Sequence, residues 1–258
     1  RRSRAGWVAV HLYALAWALP FFAAEWVTVN WAISRWSRTR FEAIPGDLYD
    51  SAVTAACAAA LVFGVCALAV LLLRAGARSK LAERMPWLFL ANYFLPSLVL
   101  ALAFVMMTRD GSVAAQWLGP LRDTRLVIVV PLALRLLPFA MLPVLDALRR
   151  TPPAMIEIAR VYGRGPLRAR LVAFAGQVAP ALALGCALVF MEAVKELDLS
   201  LTLQPFGYST LALKIYAFSR HQNMDRAAVW VLLSQALMLA PLLLLWWRVG
   251  RLDQPART

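Results

Sequence analysis

Six long apolar runs, separated by short polar segments, follow one another along the chain. They cover residues 7–33, 51–73, 87–107, 126–145, 178–197 and 227–247. Each run is about 20 residues or longer, and an α-helix of that length crosses ~30 Å of hydrocarbon. Lipid does not tolerate unpaired backbone groups, so a spanning segment must be an α-helix or part of a closed β-barrel. This sequence lacks the alternating ~10-residue segments that are typical of a membrane β-barrel. The pattern therefore predicts an all-α polytopic membrane protein, a single domain over residues 1–258 with about six transmembrane helices.

The composition agrees with a membrane location. Apolar residues make up 62% of the chain and charged residues 16%, and the mean hydropathy is +0.65. A soluble domain is about half apolar and about a quarter charged, so a soluble enzyme and a disordered chain are both disfavoured. The formal net charge is +13. In a soluble protein this excess would suggest nucleic acid, but in a membrane protein it collects in cytoplasmic loops. We therefore expect contact with the lipid bilayer and no nucleic-acid partner.

Basic residues are shared unevenly between the two sides of the predicted bundle. They are more numerous at the N-terminus, in loops 74–86 and 146–176 and in the tail after residue 247 than in the three intervening loops. The positive-inside rule then places both termini of this segment in the cytoplasm. The expected location is a bacterial inner (cytoplasmic) membrane, with the chain crossing it several times.

The sequence lacks the common catalytic and metal-binding motifs. It contains no GxxxxGK[ST] loop, no HExxH or GxSxG motif and no CxxC pair, and His11 and His221 lie far apart. We therefore expect that the chain is not an enzyme, binds no cofactor of its own and holds no metal.

The most basic of the predicted cytoplasmic loops, residues 146–176, has the pattern of a helical hairpin. A helix is expected over 154–162, because Gly163 suits the left-handed residue that ends a helix. Gly165 and Pro166 then form a turn that starts a second helix. Such a protruding element is either a docking site for a cytosolic partner or an ordinary basic loop.

The segment Glu157-Ile-Ala-Arg-Val-Tyr-Gly163 resembles the EAA loop of permease subunits of binding-protein-dependent ABC importers. Glu157, Ala159 and Gly163 match that motif in type and spacing. Ile158 replaces one Ala, and residues 173–176 depart from the Ile-x-Leu-Pro ending of the family pattern. The resemblance implies that Glu157, Ala159 and Gly163 form a coupling helix that sits in a groove of the ATPase subunit.

Charged residues inside predicted spans are costly and are functional candidates by default. Arg135 lies about halfway along the fourth run. Near the end of the fifth run, Glu192, Lys195 and Glu196 have the spacing of one helical stripe, close to the outer surface, and Asp198 follows them. These five residues are candidates for the translocation path or its gate. The alternative is that the stripe is a self-compensating ionic cluster that orients the helix.

The same region extends the resemblance towards the iron(III)-type importer permeases. Lys195-Glu-Leu197, Pro205-Phe206 and Thr210-Leu-Ala212 look like that group's Lys-Glu-Leu-Pro, Arg-Pro-Phe and Thr-Leu-Ala elements, and Arg135 to Pro138 resembles its Arg-Phe-Leu-Pro element. Asp198 stands where the group has Pro, and Gln204 where it has Arg. The similarity covers about residues 48–247. It implies the type I ABC importer permease fold and, because the sequence starts without Met, the C-terminal half of a fused two-half permease.

The resemblance also implies function and partners. The chain would translocate iron(III), or alternatively thiamine, a polyamine or a phosphonate, by alternating access. An ABC ATPase dimer would hold ATP and Mg, a second permease half would complete the path, and a periplasmic or extracellular substrate-binding protein would deliver the substrate. A short helix over 210–220 in the outer loop, capped by Ser209 or Thr210, would face that protein.

Two readings from other classes stay open. An ATP-independent secondary transporter or channel would use Arg135 and the charged stripe as an ion relay. A membrane scaffold or enzyme would carry no substrate flux.

Overall fold

The computed structural model describes residues 4–39, 41–72, 90–150 and 166–252, together with residues 87, 152, 154, 158 and 161. Every regular element in these ranges is helical, and residues 90–94 form a further short helical stretch. The α-helices are α1 (Arg4–Arg35), α2 (Ile44–Leu72), α3 (Ser97–Thr108), α4 (Ala115–Leu118), α5 (Leu126–Arg150), α6 (Pro166–Val194), α7 (Asp198–Leu203), α8 (Leu211–Arg220) and α9 (Met224–Leu252). Short 3-10 turns occupy Trp36–Arg38, Phe41–Ala43 and Gly119–Leu121.

The all-α polytopic fold predicted from the apolar runs is confirmed. Within the described ranges, four stretches are long and apolar enough to cross a membrane, namely Val10–Arg35, Phe41–Leu71, Leu126–Arg150 and Met224–Trp247. Two further apolar stretches, Ser97–Thr108 and Val178–Val194, are shorter. Ser97–Thr108 is a short helix, whereas Val178–Val194 is the end of a helix of 29 residues, Pro166–Val194.

The centre of the bundle is formed by α2, α5 and α6. Val62 of α2, Ile128 and Leu136 of α5, and Val189 of α6 are almost completely buried in one core cluster. Gly185 of α6 lies directly against α5, since a Cβ built at this position would be 2.4 Å from the Cα of Ala140. The absence of a side chain at residue 185 therefore sets how closely the two central helices approach.

Helix α1 lies at the edge of the bundle, and its spanning stretch contributes almost nothing to the core. It is attached to α9 by polar contacts: Gln235 Nε2 donates to Glu25 Oε1 at 2.7 Å, and Arg35 pairs with Asp225. Its many exposed aromatic and aliphatic side chains, such as Trp17 and Phe22, are of the kind that lipid solvates.

The third apolar run is not one helix, in contrast to the span expected over 87–107. The helix breaks at Leu95 and Pro96, and α3 begins only at Ser97. Pro96 has no backbone N–H and disfavours the α conformation in the residue before it. Proline alone does not decide the outcome, because α5 runs unbroken through Pro131, Pro138 and Pro143.

The fifth run also differs from the span expected over 178–197. Helix α6 starts as early as Pro166, as the Gly165-Pro166 turn predicted, and ends at Val194. The chain then does not leave the bundle as a surface loop. Leu199, Ser200, Leu203 and Tyr208 are all buried. Irregular backbone is tolerated in a membrane protein only where it is covered by protein or lines a cavity. Here α3 and α5 pack against α7, and α2 binds residues 208–211.

The short helix expected in this outer segment is confirmed as α8. Thr210 is its N-cap, with its side-chain hydroxyl accepting a hydrogen bond from the backbone N–H of Leu213 at 3.3 Å. Of the two caps considered, Thr210 rather than Ser209 is therefore the one used.

Candidate functional site

The expected coupling residues Glu157, Ala159 and Gly163 lie outside the described residues. Within the loop expected over 146–176, Ile158 and Val161 are described, and both are helical and exposed. Their exposure leaves apolar surface at this end of the molecule, next to the end of α5.

Arg135 and Glu196 form an ion pair inside the bundle. Arg135 Nη1 lies 2.5 Å from Glu196 Oε2, and the two side chains are 20% and 9% exposed. Arg135 is nine residues beyond the first residue of α5, Leu126, and therefore about 14 Å along that helix. Glu196 reaches it from the segment that follows α6, and its other oxygen accepts the Leu199 N–H at 3.3 Å. The carboxylate thus pairs with α5 and at the same time holds the start of α7.

The break in the third apolar run lies beside this ion pair. Asn92 Nδ2 donates to the backbone carbonyl of Leu134 at 2.5 Å, and the Arg135 guanidinium lies 5.7 Å from the ring centroid of Tyr93. On the other side of the break, the Ser97 hydroxyl donates to Asp198. These contacts tie both ends of the break to α5 and α7.

We call this group the inner polar cluster. Its members are Asn92, Tyr93, Ser97, Arg135, Glu196 and Asp198. One donor in it is left over, because Arg135 Nε is buried and has no hydrogen-bond partner among the described residues. A buried donor without a partner costs about 1–3 kcal/mol.

The single stripe expected for Glu192, Lys195 and Glu196 is wrong. Glu192 and Lys195 do pair, at 2.7 Å, but their side chains are 33% and 54% exposed and belong to a separate contact. Because α6 ends at Val194, the backbone turns and directs Glu196 towards Arg135 instead. Glu196 is therefore partly buried against α5, whereas a continuous helix would have placed it on the same stripe as Glu192 and Lys195. Asp198 is exposed and touches the bundle through Ser97.

A second polar group, which the sequence analysis did not find, lies at the start of α2. Asp47, Asp50, Ser51 and Thr54 are all buried, and we call them the α2 clamp. Their spacing places them on one face of the helix. Four polar residues at helical spacing, at the start of an otherwise apolar run, were the sequence signal that could have revealed them.

The α2 clamp binds the segment that leads into α8. Asp50 accepts the Ser209 N–H at 3.1 Å, and the Ser51 hydroxyl accepts the Leu211 N–H at 2.8 Å. Thr54 shares a hydrogen bond of 2.9 Å with the hydroxyl of Tyr208. Burial raises the pKa of the Tyr208 phenol above its ordinary value, so this group stays a neutral hydrogen-bonding hydroxyl.

Two further contacts extend the α2 clamp to other helices. Arg125, just before α5, pairs with the second oxygen of Asp50 at 2.6 Å. The indole Nε1 of Trp230, in α9, donates to Asp47 at 2.9 Å. The start of α2 is therefore the point at which α5, α8 and α9 are held together at one end of the bundle.

The comparison with protein families decides what kind of membrane protein this is. The model of the family described as binding-protein-dependent transport system inner membrane component matches residues 72–248. The chain belongs to this family. Comparison with curated proteins gave no significant match.

Membership makes the chain the permease of a binding-protein-dependent ABC importer, with the type I permease fold. A permease of this family is the membrane channel-like subunit and not the ATPase, and it works with an ABC ATPase and a substrate-binding protein. It is a multi-pass membrane protein.

The matched range contains the inner polar cluster and the segment with Glu157, Ala159 and Gly163. Helix α1 and nearly all of α2 precede it. In this permease the α2 clamp therefore joins the part of the chain before the family match to the part within it.

Proposed function

We propose that this permease translocates iron(III) and that the inner polar cluster is the gate of its path. The observation that carries the gate is the partly buried Arg135–Glu196 pair, which lies beside an interrupted apolar segment. Ionisable groups inside a membrane protein are expensive, and they typically mark substrate or ion pathways.

The connectivity of the chain gives this gate a mechanical link to the ATPase. Helices α5 and α6 are joined by the loop expected to couple, residues 151–165. Arg135 lies on α5, and Glu196 lies two residues beyond the end of α6. A displacement of the loop is transmitted along both helices, and the two partners of the ion pair are then moved relative to one another.

The coupling residues of this mechanism are Glu157, Ala159 and Gly163. A small Ala permits close approach to a partner groove, and Gly163 permits the turn that follows. Glu157 is the acid expected to pair with an Arg of the ATPase. ATP and Mg are held by the ATPase dimer, and this chain binds no cofactor of its own.

Iron(III) is proposed on the resemblance of the 195–212 segment to iron(III)-type permeases and on chemistry. Carboxylate oxygens suit a hard cation, and Glu196 and Asp198 bring two carboxylates into the inner polar cluster. Glu192 and Lys195, the more exposed pair, are placed at the approach to the gate. A second permease half, in the same inner membrane and with this segment's termini in the cytoplasm, completes the path.

The test is substrate uptake by cells that produce the full-length permease with its ATPase and binding protein. Iron(III), thiamine, a polyamine and a phosphonate are compared in the wild type and in Glu157→Arg. Glu42→Arg is the charge-matched control, because Glu42 is exposed in a short turn far along the chain from the coupling loop.

Each outcome separates the readings. ATP-dependent iron uptake that Glu157→Arg abolishes and Glu42→Arg keeps supports the whole proposal. ATP-dependent uptake of another ligand retains the importer and removes iron. Flux that survives both ATP depletion and Glu157→Arg would identify a secondary transporter that does not use Glu157.

A further inference from the structure

A cavity of about 580 Å³ lies between the end of α1, the turn before α2, helix α8 and the start of α9. Its volume is in the range of small-molecule sites, which is roughly 300–1,000 Å³. Among the described residues, three cationic side chains line it, those of Arg35, Lys214 and Arg226, and no acidic residue does. The cavity is therefore a concentration of positive charge at one end of the molecule.

Little of this positive charge is neutralised by the protein. Arg35 pairs with Asp225 through one guanidinium nitrogen. The guanidinium has five N–H donors in all, so others are left for a ligand. Neither Lys214 nor Arg226 forms a side-chain ion pair with any residue in the described part of the chain. Like charges that share a cavity repel one another, and a bound anion removes that repulsion.

The walls of the cavity are fixed by contacts of their own. The Trp230 indole donates to the buried Asp47 at 2.9 Å, and its ring lies 5.0 Å from that of Phe218. Thr39 donates to the carbonyl of Arg35 at 3.0 Å. A cationic site with a rigid aromatic wall is pre-organised, because its side chains lose little freedom when a ligand binds.

The position of the cavity along the spanning helices indicates the ligand. Arg35 is the last residue of the spanning stretch Val10–Arg35, and Arg226 lies in the first turn of the stretch Met224–Trp247. Arg35 and Arg226 thus lie at the ends of spanning segments, where we expect lipid phosphate groups. Basic pockets between membrane helices bind anionic head groups through such contacts.

We propose that this cavity is a binding site for a phosphate group, with Lys214 and Arg226 as its main ligands and Arg35 as the third. The phosphate belongs either to an anionic phospholipid or to a soluble phosphate compound. The phenyl and indole faces of Phe218 and Trp230 provide the apolar wall against which a glycerol or acyl segment packs. The site is independent of iron and of the coupling residues.

The experiment uses the full-length permease complex, purified in detergent and stripped of lipid. Binding of phosphatidylglycerol and of phosphatidylcholine is titrated by native mass spectrometry, with inorganic phosphate as a competitor. The test variants are Lys214→Gln/Arg226→Gln and, in case the double variant does not assemble, Arg226→Gln alone, since Arg226 is exposed. Arg109→Gln/Arg122→Gln is the control, because it removes the same charge from two exposed residues elsewhere.

The wild type is expected to bind phosphatidylglycerol more tightly than phosphatidylcholine. Binding of phosphatidylglycerol should be about 30-fold weaker in the Lys214→Gln/Arg226→Gln variant, which lacks two cations. Binding by the Arg109→Gln/Arg122→Gln control should equal that of the wild type. Competition by inorganic phosphate identifies a soluble phosphate compound as the ligand, whereas binding that resists it identifies the lipid. Unchanged phosphatidylglycerol affinity in the test variants overturns the proposal. So does a variant that keeps this affinity but no longer captures the substrate-binding protein, which would make the surface a protein-docking site.

Discussion

The Arg135–Glu196 pair allows a quantitative test of the inner polar cluster. The changes are Arg135→Met, Glu196→Gln and the two combined. The Glu196 carboxylate accepts a hydrogen bond from the Leu199 N–H at 3.3 Å. Glutamine keeps a carbonyl oxygen for this bond, so the start of α7 retains its partner. The cycle then isolates the interaction between the two side chains.

The expected magnitude follows from the burial of the two groups. Removing one partner of a buried ion pair leaves the other charge uncompensated and costs about 3–5 kcal/mol. Because the Arg135 side chain is still 20% exposed, we take the lower end of that range, about 3 kcal/mol for each single change. The double variant leaves no such charge and should cost about as much as one single change. The coupling energy is then about 3 kcal/mol.

The assay is the free energy of unfolding of the purified permease in mixed micelles at increasing denaturing-detergent fraction. Glu192 and Lys195 provide the matched control, because they form a carboxylate–cation pair of similar length, 2.7 Å, with more exposed side chains. Exposed pairs couple by about 0.2–1 kcal/mol. An Arg135–Glu196 coupling as small as that of the control would refute the buried network. The same variants should also leak iron(III) into proteoliposomes without ATP, while Glu192→Gln should not.

Two further changes test the framework around the site. Gly185→Ala places a Cβ 2.4 Å from the Cα of Ala140 and should destabilise the permease by about 1–3 kcal/mol, measured as a lower midpoint of thermal unfolding. Gly64 is a helical glycine with nothing within 4 Å of a new Cβ, so Gly64→Ala should be neutral or stabilising. An equal loss of stability in both variants would contradict the close α5–α6 contact. Asp50→Asn weakens the contacts to Arg125 and Ser209 and should expose the segment before α8 to limited proteolysis, with Asp110→Asn, at an exposed position, as the control.

The fold was largely predictable because apolar run length is a strong signal in a membrane protein. The all-α class follows from the runs alone, and α8 with its cap follows from Thr210 and the polar residues around it. Helix ends inside apolar sequence were not predictable. Nothing in the local pattern distinguishes Pro96, where the helix breaks, from Pro138, where it continues, since the difference lies in which neighbours satisfy the freed backbone groups.

The candidate site was predictable in its residues but not in its pairing. Arg135, Glu196 and Asp198 were found because a charge in an apolar run is rare. Their grouping depended on a contact between residues 61 positions apart, and on the end of α6 at Val194, neither of which helical spacing can show. The α2 clamp was missed for a related reason: most of its partners, such as Tyr208, lie more than 150 residues away.

The two polar groups hold opposite ends of one segment, and this restricts how the gate moves. Glu196 and Asp198 fix its beginning on Arg135 and Ser97, whereas the α2 clamp fixes its end at residues 208–211. The clamp also holds Arg125, so the start of α5 and the start of α8 are kept in one place. A rearrangement at Arg135 must therefore be absorbed between α7 and residue 208. That stretch contains Gly207, whose φ is 76°, a left-handed conformation that glycine adopts without strain. It also contains Phe206, whose side chain is fully exposed and has no core packing to lose. In the proposed mechanism, the inner polar cluster therefore opens while α8 and the cationic cavity beside it stay in place.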